Sequence, residues 1–175
     1  MPTLIVENGT GVASANTYAD VAYLVAYAAD RGVAIPSTLE EQEQFLLQAM
    51  DYLAWFTDLF QGSKTTTTNA LPWPRQDVEI DDVAFDKDSI PSQLKNAQSQ
   101  LAVEQRAGVI LFPRPRTSSV EGLVTEKSVG TLKKKFAFTG EGIANAQAPI
   151  KIMGVYLFLK PLLKATNQVI RTVRL

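Results

Sequence analysis

Three stretches of this 175-residue chain hold residue types whose spacing could do chemistry. In NALPWPRQDVEIDD, Asn69 to Asp82, two prolines flank Trp73, Arg75 follows, and Asp77, Glu79 and Asp81 alternate before Asp82. A proline pushes the residue before it into extended geometry, so Pro72 and Pro74 hold Leu71 and Trp73 extended. Trp73 is then either a rigid anchor for a partner, with Arg75 beside it, or a plug for its own core where the chain turns. The acidic alternation, continued to Asp88, imitates a calcium loop, but the sixth position of such a loop needs glycine and here holds Asp82. A solvated acidic loop or a patch facing a partner is the reading that remains.

The second stretch, GSKTT at Gly62, resembles the end of a phosphate-binding loop. It lacks the adjacent Gly-Lys pair and the preceding strand that such a loop requires. The third, LKKKFAFTG from Leu132 to Gly140, is the best nucleic-acid candidate. On a strand, Lys133 and Lys135 project to one face and Lys134, Phe136 and Phe138 to the other, which would offer a single strand both charge and stacking surface. The competing reading is an edge strand whose lysines discourage unwanted pairing.

What is missing narrows the chemistry further. The chain has no cysteine and no histidine. Disulfides, thiolate sites, the usual zinc sites, Ser-His-Asp and Cys-His arrangements and the commonest neutral-pH general base are therefore excluded. No Gly-x-Ser-x-Gly elbow is present and nothing selects a catalytic pair among the carboxylates. The expectation is a protein that is not an enzyme, with no cofactor and no resident metal. The start, MPTLIVENGTG, lacks the basic and long apolar regions of a signal peptide, and the apolar run Ile152–Leu159 is too short to span a bilayer, so no membrane association is expected.

The elements that must position these stretches follow from periodicity. Thr3 to Val6 reads as a short strand that needs a sheet edge from elsewhere, ending in a turn at Asn8, Gly9 and Gly11. A first helix is capped by Asp20, buries Val21, Leu24, Val25 and Ala28, and stops at Gly32. A second runs from a capping box of Thr38 and Glu41 to Gly62. Its stripe of Phe45, Leu46, Ala49, Met50, Leu53, Phe56 and Phe60, widened by Leu47, Trp55 and Leu59, predicts the centre of the core. Residues 63–89 show no sustained period and read as a long connection. A third helix opens on Pro91 and stops at Gly108; its stripe of Leu94, Ala97, Leu101 and Ala102 is narrow, NAQSQ leaves its other face polar without much charge, and a helix of this kind is expected to pack against another subunit. The segment VILFPRPR reads as extended, two strands over Gly122–Ser128 and Leu132–Phe138 form a ribbon joined near Gly130, Pro149 opens a helix through Leu159, and QVIRTVRL is a final strand. The expected fold is therefore mainly α with β extensions. A small bundle of about four helices carries a β-ribbon and extended N- and C-terminal arms. It forms one domain: core at 18–108 and 149–163, connecting loop 63–89, ribbon about 120–139, arm 164–175.

Charge is partitioned along the chain. Residues 1–90 hold 14 Asp or Glu against four Lys or Arg, a net −10, and residues 91–175 hold 13 Lys or Arg against four Glu, a net +9. Such polarity can order like subunits head to tail, unless folding interleaves the halves and cancels it.

The segments TLIVENGTGVASANTYADVAYLVAYAADRG, AMDYLAW, ALPWPRQD, IPSQLKNAQSQLA and VTEKSVGTLKKKF stand in that order. In this the chain resembles, over nearly its whole length, a family of small tailed-phage and prophage proteins often labelled DnaT-like single-stranded-DNA-binding proteins. Members of that family look like head-completion adaptors, or head-to-tail connectors. The resemblance implies a virion protein of the head-tail neck, made in the host cytoplasm. It would form a ring, commonly a dodecamer, under the portal protein, and meet a downstream neck or tail-completion protein and, non-specifically, packaged DNA. The candidate interface residues are Trp73, Arg75, Asp77, Glu79, Asp81, Arg114 and Arg116. Under the competing label, Lys133, Lys134, Lys135, Phe136 and Phe138 would contact single-stranded DNA.

Overall fold

A computed structural model describes residues 3–112, 126–129, 132–135 and 152–164. The chain divides into two compact units, Met1–Val109 with Lys151–Leu175, and Ile110–Ile150. The fold is mixed and mainly helical, with small antiparallel two-stranded sheets.

In the first unit, helix α1 is Val21–Ala29. The Asp20 carboxylate accepts from the Tyr23 amide at 2.7 Å, the cap that the sequence predicts. Leu24, Tyr27 and Ala28 are buried, whereas Val25 is exposed, so the buried face is turned toward Tyr27. Helix α2 is Leu39–Ala54, shorter than expected. At its start the Thr38 hydroxyl bonds the Glu41 carboxylate at 2.6 Å, so the two capping-box side chains pair with each other and the Thr38 hydroxyl caps no backbone amide. At its end the amides of Trp55, Phe56 and Leu59 bond carbonyls three residues back, which tightens the chain into a 3₁₀ turn at Thr57–Leu59. The extra rotation swings Phe60 into the core and leaves Trp55 and Leu59 about half exposed.

Helix α3, Ser92–Arg106, is the central element, a place the sequence assigned to α2. It packs against α1, α2 and α4, the last being Met153–Leu159. Its buried face is wider than its apolar stripe because Gln98 and Ser99 are buried alongside Leu94, Ala97, Leu101, Ala102 and Val103. This face is covered within the chain by α1, α2 and α4.

Gln98 makes that burial possible. Its Oε1 accepts from the Tyr18 and Ala19 amides at 3.0 and 2.9 Å, while its Nε2 donates to Thr17 Oγ1 at 2.7 Å and to the Leu46 carbonyl at 3.0 Å. All four bonding positions of the amide are filled, three of them by the entry to α1 and one by α2. Around it pack Ala19, Leu24, Leu46 and Ala102, sealed by Leu4, Ile35 and Phe45.

The N-terminal segment closes on its own chain rather than on a distant sheet edge. The Glu7 amide donates to the Thr17 carbonyl at 2.8 Å, and the Asn16 amide to the Ile5 carbonyl at 2.9 Å, a single parallel bridge in place of the expected strand. The buried Glu7 carboxylate gathers the amides of Gly9, Gly11 and Val12 at 2.8–3.0 Å. At Gly9 φ is +110°, and a Cβ there would stand 2.1 Å from the Asp88 carbonyl oxygen, so the turn requires glycine.

The 63–89 connection is built from two hairpins. Strand β1 (Ser63–Lys64) pairs with β2 (Arg75–Gln76), and β3 (Glu79–Ile80) with β4 (Val83–Ala84). Asp81 and Asp82, at φ 52° and 62°, form the two-residue left-handed turn of the second hairpin, a geometry aspartate tolerates better than most residues. In the second unit, β5 (Glu126–Val129) pairs antiparallel with β6 (Leu132–Lys135), Lys127 opposite Lys134 and Ser128 opposite Lys133, as the ribbon expectation required. Pro149 and the final strand, QVIRTVRL, lie outside the described residues, and α4 begins at Met153 behind Ile152 as its N-cap.

Replacing Gln98 by leucine keeps the approximate volume and leaves the Tyr18 and Ala19 amides without acceptors. At roughly 1–3 kcal/mol for a buried unsatisfied group, urea unfolding of Q98L should show a loss of about 3 kcal/mol relative to the parent. A change under about 1 kcal/mol would deny Gln98 its organising role.

Candidate interaction surface around the proline–tryptophan corner

Trp73 lies at 0% exposure inside the first unit. Its ring meets Phe60 and Phe85 edge to face, at centroid distances of 5.9 and 6.1 Å. Its backbone amide donates to the Tyr18 hydroxyl oxygen at 3.1 Å, and its indole Nε1 has no hydrogen-bond partner among the described residues. Of the two readings of this residue, the structure takes the core plug. The bond from Trp73 to Pro74 is cis.

Tyr18, the residue before Ala19 in the Gln98 clasp, therefore joins the helical core to the corner. Burial pushes its hydroxyl well above the ordinary tyrosine range, and the Trp73 amide offsets only part of that.

Arg75 is buried, with no carboxylate partner among the described residues. Its guanidinium donates to four backbone carbonyls, those of Gln61 (2.6 Å), Gly62 (2.7 Å), Pro72 (3.3 Å) and Phe60 (3.5 Å). Burial lowers its pKa, while Tyr18 and Asp58 raise it, and an arginine remains charged under such a shift. A planar fork of five donors lets one side chain tie two chain segments together through carbonyls alone. Gly62 must be glycine at this point, because a Cβ there would lie 2.0 Å from the Gln76 carbonyl oxygen and φ is +61°.

The corner continues into the segment after α4. The Gln61 amide donates to the Leu162 carbonyl at 3.0 Å, its side-chain Nε2 to the Pro161 carbonyl at 2.8 Å, and the Lys164 amide to the Leu59 carbonyl at 2.8 Å. Phe60 and Leu163 form an antiparallel bridge. Asp77, Glu79, Asp81 and Asp82 stand exposed on the hairpin side of an open groove of about 1200 Å³. Its other walls are Phe56, Leu59, Tyr156, Pro161 and Leu163, with Lys160 and Lys164. Among the described residues the one ion pair is Lys87–Asp88, and no group of three His, Cys, Asp or Glu could hold a metal ion. No helix among them is long and apolar enough to cross a membrane.

The predicted site residues thus separate. Trp73 and Arg75 are inside the corner, while Asp77, Glu79 and Asp81 line the groove beside it. Arg114, Arg116, Phe136 and Phe138 lie outside the described residues, and Lys133, Lys134 and Lys135 are placed only by their pairing on β6. Tyr18, Gln61, Lys160 and Lys164 were not singled out from sequence. Their roles come from contacts across 14 to about 100 positions, for which periodicity carries no signal.

A family model described as "Putative DnaT-like ssDNA binding protein" matches residues 2–175. No curated protein and no solved structure matches the chain.

Two stability outcomes follow from the corner. Trp73→Ala should cost about 3–5 kcal/mol and Trp55→Ala less than about 1 kcal/mol in chemical denaturation, since only the former empties a packed site. Equal losses would place Trp73 outside the core. Because the folded-state pKa of Tyr18 is raised, its stabilisation is intact below the unfolded value near 10 and is lost as pH rises above it. Stability of the parent should fall from about pH 10 upward, and Tyr18→Phe should flatten that fall at the cost of a lower plateau.

Proposed function

The chain belongs to this DnaT-like family, and from that premise we propose that it is a non-enzymatic structural protein of the tailed-phage virion, a head-to-tail connector adaptor. It would act in the neck as a ring of identical copies, a dodecamer, between the portal protein and a downstream neck or tail-completion protein, with only non-specific contact to packaged DNA. The observation that carries the reading is the division of charge between the two compact units. Residues 1–109 with 151–175 hold 15 Asp or Glu against 11 Lys or Arg, a net −4, and residues 110–150 hold six Lys or Arg against three Glu, a net +3. Copies with oppositely charged units favour heterologous contacts, which close into rings when the rotation allows. The ordered run of segments shared with connector-like phage proteins supports the same assignment.

The family description favours a second reading, single-stranded-DNA binding by Lys133, Lys134, Lys135, Phe136 and Phe138. The register of β5 and β6 sets Lys134 opposite Lys127, which concentrates cationic residues on the hairpin.

One set of measurements separates the two. As a connector the protein is found in purified virions, assembles into rings by electron microscopy, alone or on portal, and binds oligo-dT only weakly at physiological salt. Submicromolar binding there, absence from virions, loss of binding in a Lys133, Lys134, Lys135→Ala variant and a log–log salt slope reduced by about 2 in that variant would overturn it in favour of DNA binding.

A further inference from the structure

We infer that the open groove beside the acidic hairpin is the docking site for residues 165–175 of the same chain. The groove combines an apolar floor, Phe56, Leu59 and Leu163, with a rim of four exposed carboxylates, Asp77, Glu79, Asp81 and Asp82. Among the described residues none of the four is in an ion pair. Two cations line the opposite side, and one of them, Lys164, is already tied to the Asp58 carbonyl at 2.9 Å. The groove therefore carries an unbalanced negative rim over apolar surface, which suits a ligand that is both cationic and aliphatic.

Residues 165–175, ATNQVIRTVRL, have that chemistry. They contain Arg171 and Arg174, the aliphatic Val169, Ile170, Val173 and Leu175, and no acid. Their placement favours the same chain. Residue 164 is itself part of the groove wall, and its amide is bonded to the Leu59 carbonyl, so the chain leaves the described structure already inside the groove. Eleven residues reach up to about 36–40 Å when extended, more than enough to cross a groove of this size. A tether that short keeps the segment at high effective concentration, against which a second copy or a separate partner must compete. The antiparallel bridge of Leu163 to Phe60 supplies the direction of entry, and the aliphatic side chains would cover Phe56 and Leu59 while the arginines meet the rim.

Because the chain has no cysteine, directed disulfide formation tests this cleanly. In the full chain, Glu79→Cys with Thr172→Cys places one thiol on the rim and one between the two arginines, and Glu40→Cys with Thr172→Cys is the control on exposed α2 surface. Mild oxidation should close the 79–172 pair within one chain, seen as a faster-migrating monomer on non-reducing gels. It should do so about fivefold or more faster than the 40–172 pair, and adding Asp77→Asn, Asp81→Asn and Asp82→Asn should slow closure by about fivefold. Asparagine also tolerates the left-handed backbone of these positions, so folding is retained. Equal rates for the two pairs, no effect of neutralising the rim, or a dominant disulfide between chains would overturn the inference, the last in favour of a second copy's segment.

Discussion

A single buried amide organises this protein. Gln98 sits on the face of α3 that would otherwise be a plain apolar stripe, and it satisfies two amides, a hydroxyl and a carbonyl from two other parts of the chain. Each partner is a group that could not be buried unpaired without a cost comparable to a lost hydrogen bond. An aliphatic residue would pack there equally well, yet would not specify where α1 begins relative to α2. The amide gives the small core a register as well as a volume, and that register places Tyr18.

From Tyr18 the constraint passes outward. Its hydroxyl receives the Trp73 amide, Trp73 fills the space between Phe60 and Phe85, and Arg75 binds the carbonyls on either side. This corner is held by hydrogen bonds from side chains to backbone more than by ladders, since its strands are two residues long. The same carbonyl-rich segment, 59–62, also receives the chain that follows α4. One corner thus fixes both the acidic hairpin and the exit of the final segment, which brings a charged rim and an apolar floor together.

Much of the frame was legible in sequence. Asp20 as a cap, Gly32 and Gly108 as stops, Pro91 at the start of α3 and the pairing of Glu126–Val129 with Leu132–Lys135 each follow from local chemistry acting over a few residues. The errors share a cause. Helical spacing of the apolar residues predicts a second helix as far as Gly62, but spacing cannot reveal a 3₁₀ turn that trades Trp55 and Leu59 outward so that Phe60 can reach Trp73. The stripe on α3 reads as narrow because glutamine and serine count as polar surface in sequence, whereas their burial depends on partners far away in the chain. The hairpin at Asp81 and Asp82 gives no sequence signal because its turn uses aspartate where glycine or asparagine is the usual mark.

By itself the sequence determined which residue types are absent, the helical frame with its β extensions, and the charge count of each half, because residue type, local spacing and count decide these. Only the tertiary structure decided that α3 is central, that Trp73 is a plug, that Arg75 binds backbone carbonyls and that the acids after it stand exposed beside a groove. Those outcomes rest on pairings such as Gln98 with Tyr18 or Gln61 with Pro161, separated by 80 and 100 positions. Proximity between such distant groups is created by folding, and no local pattern encodes it.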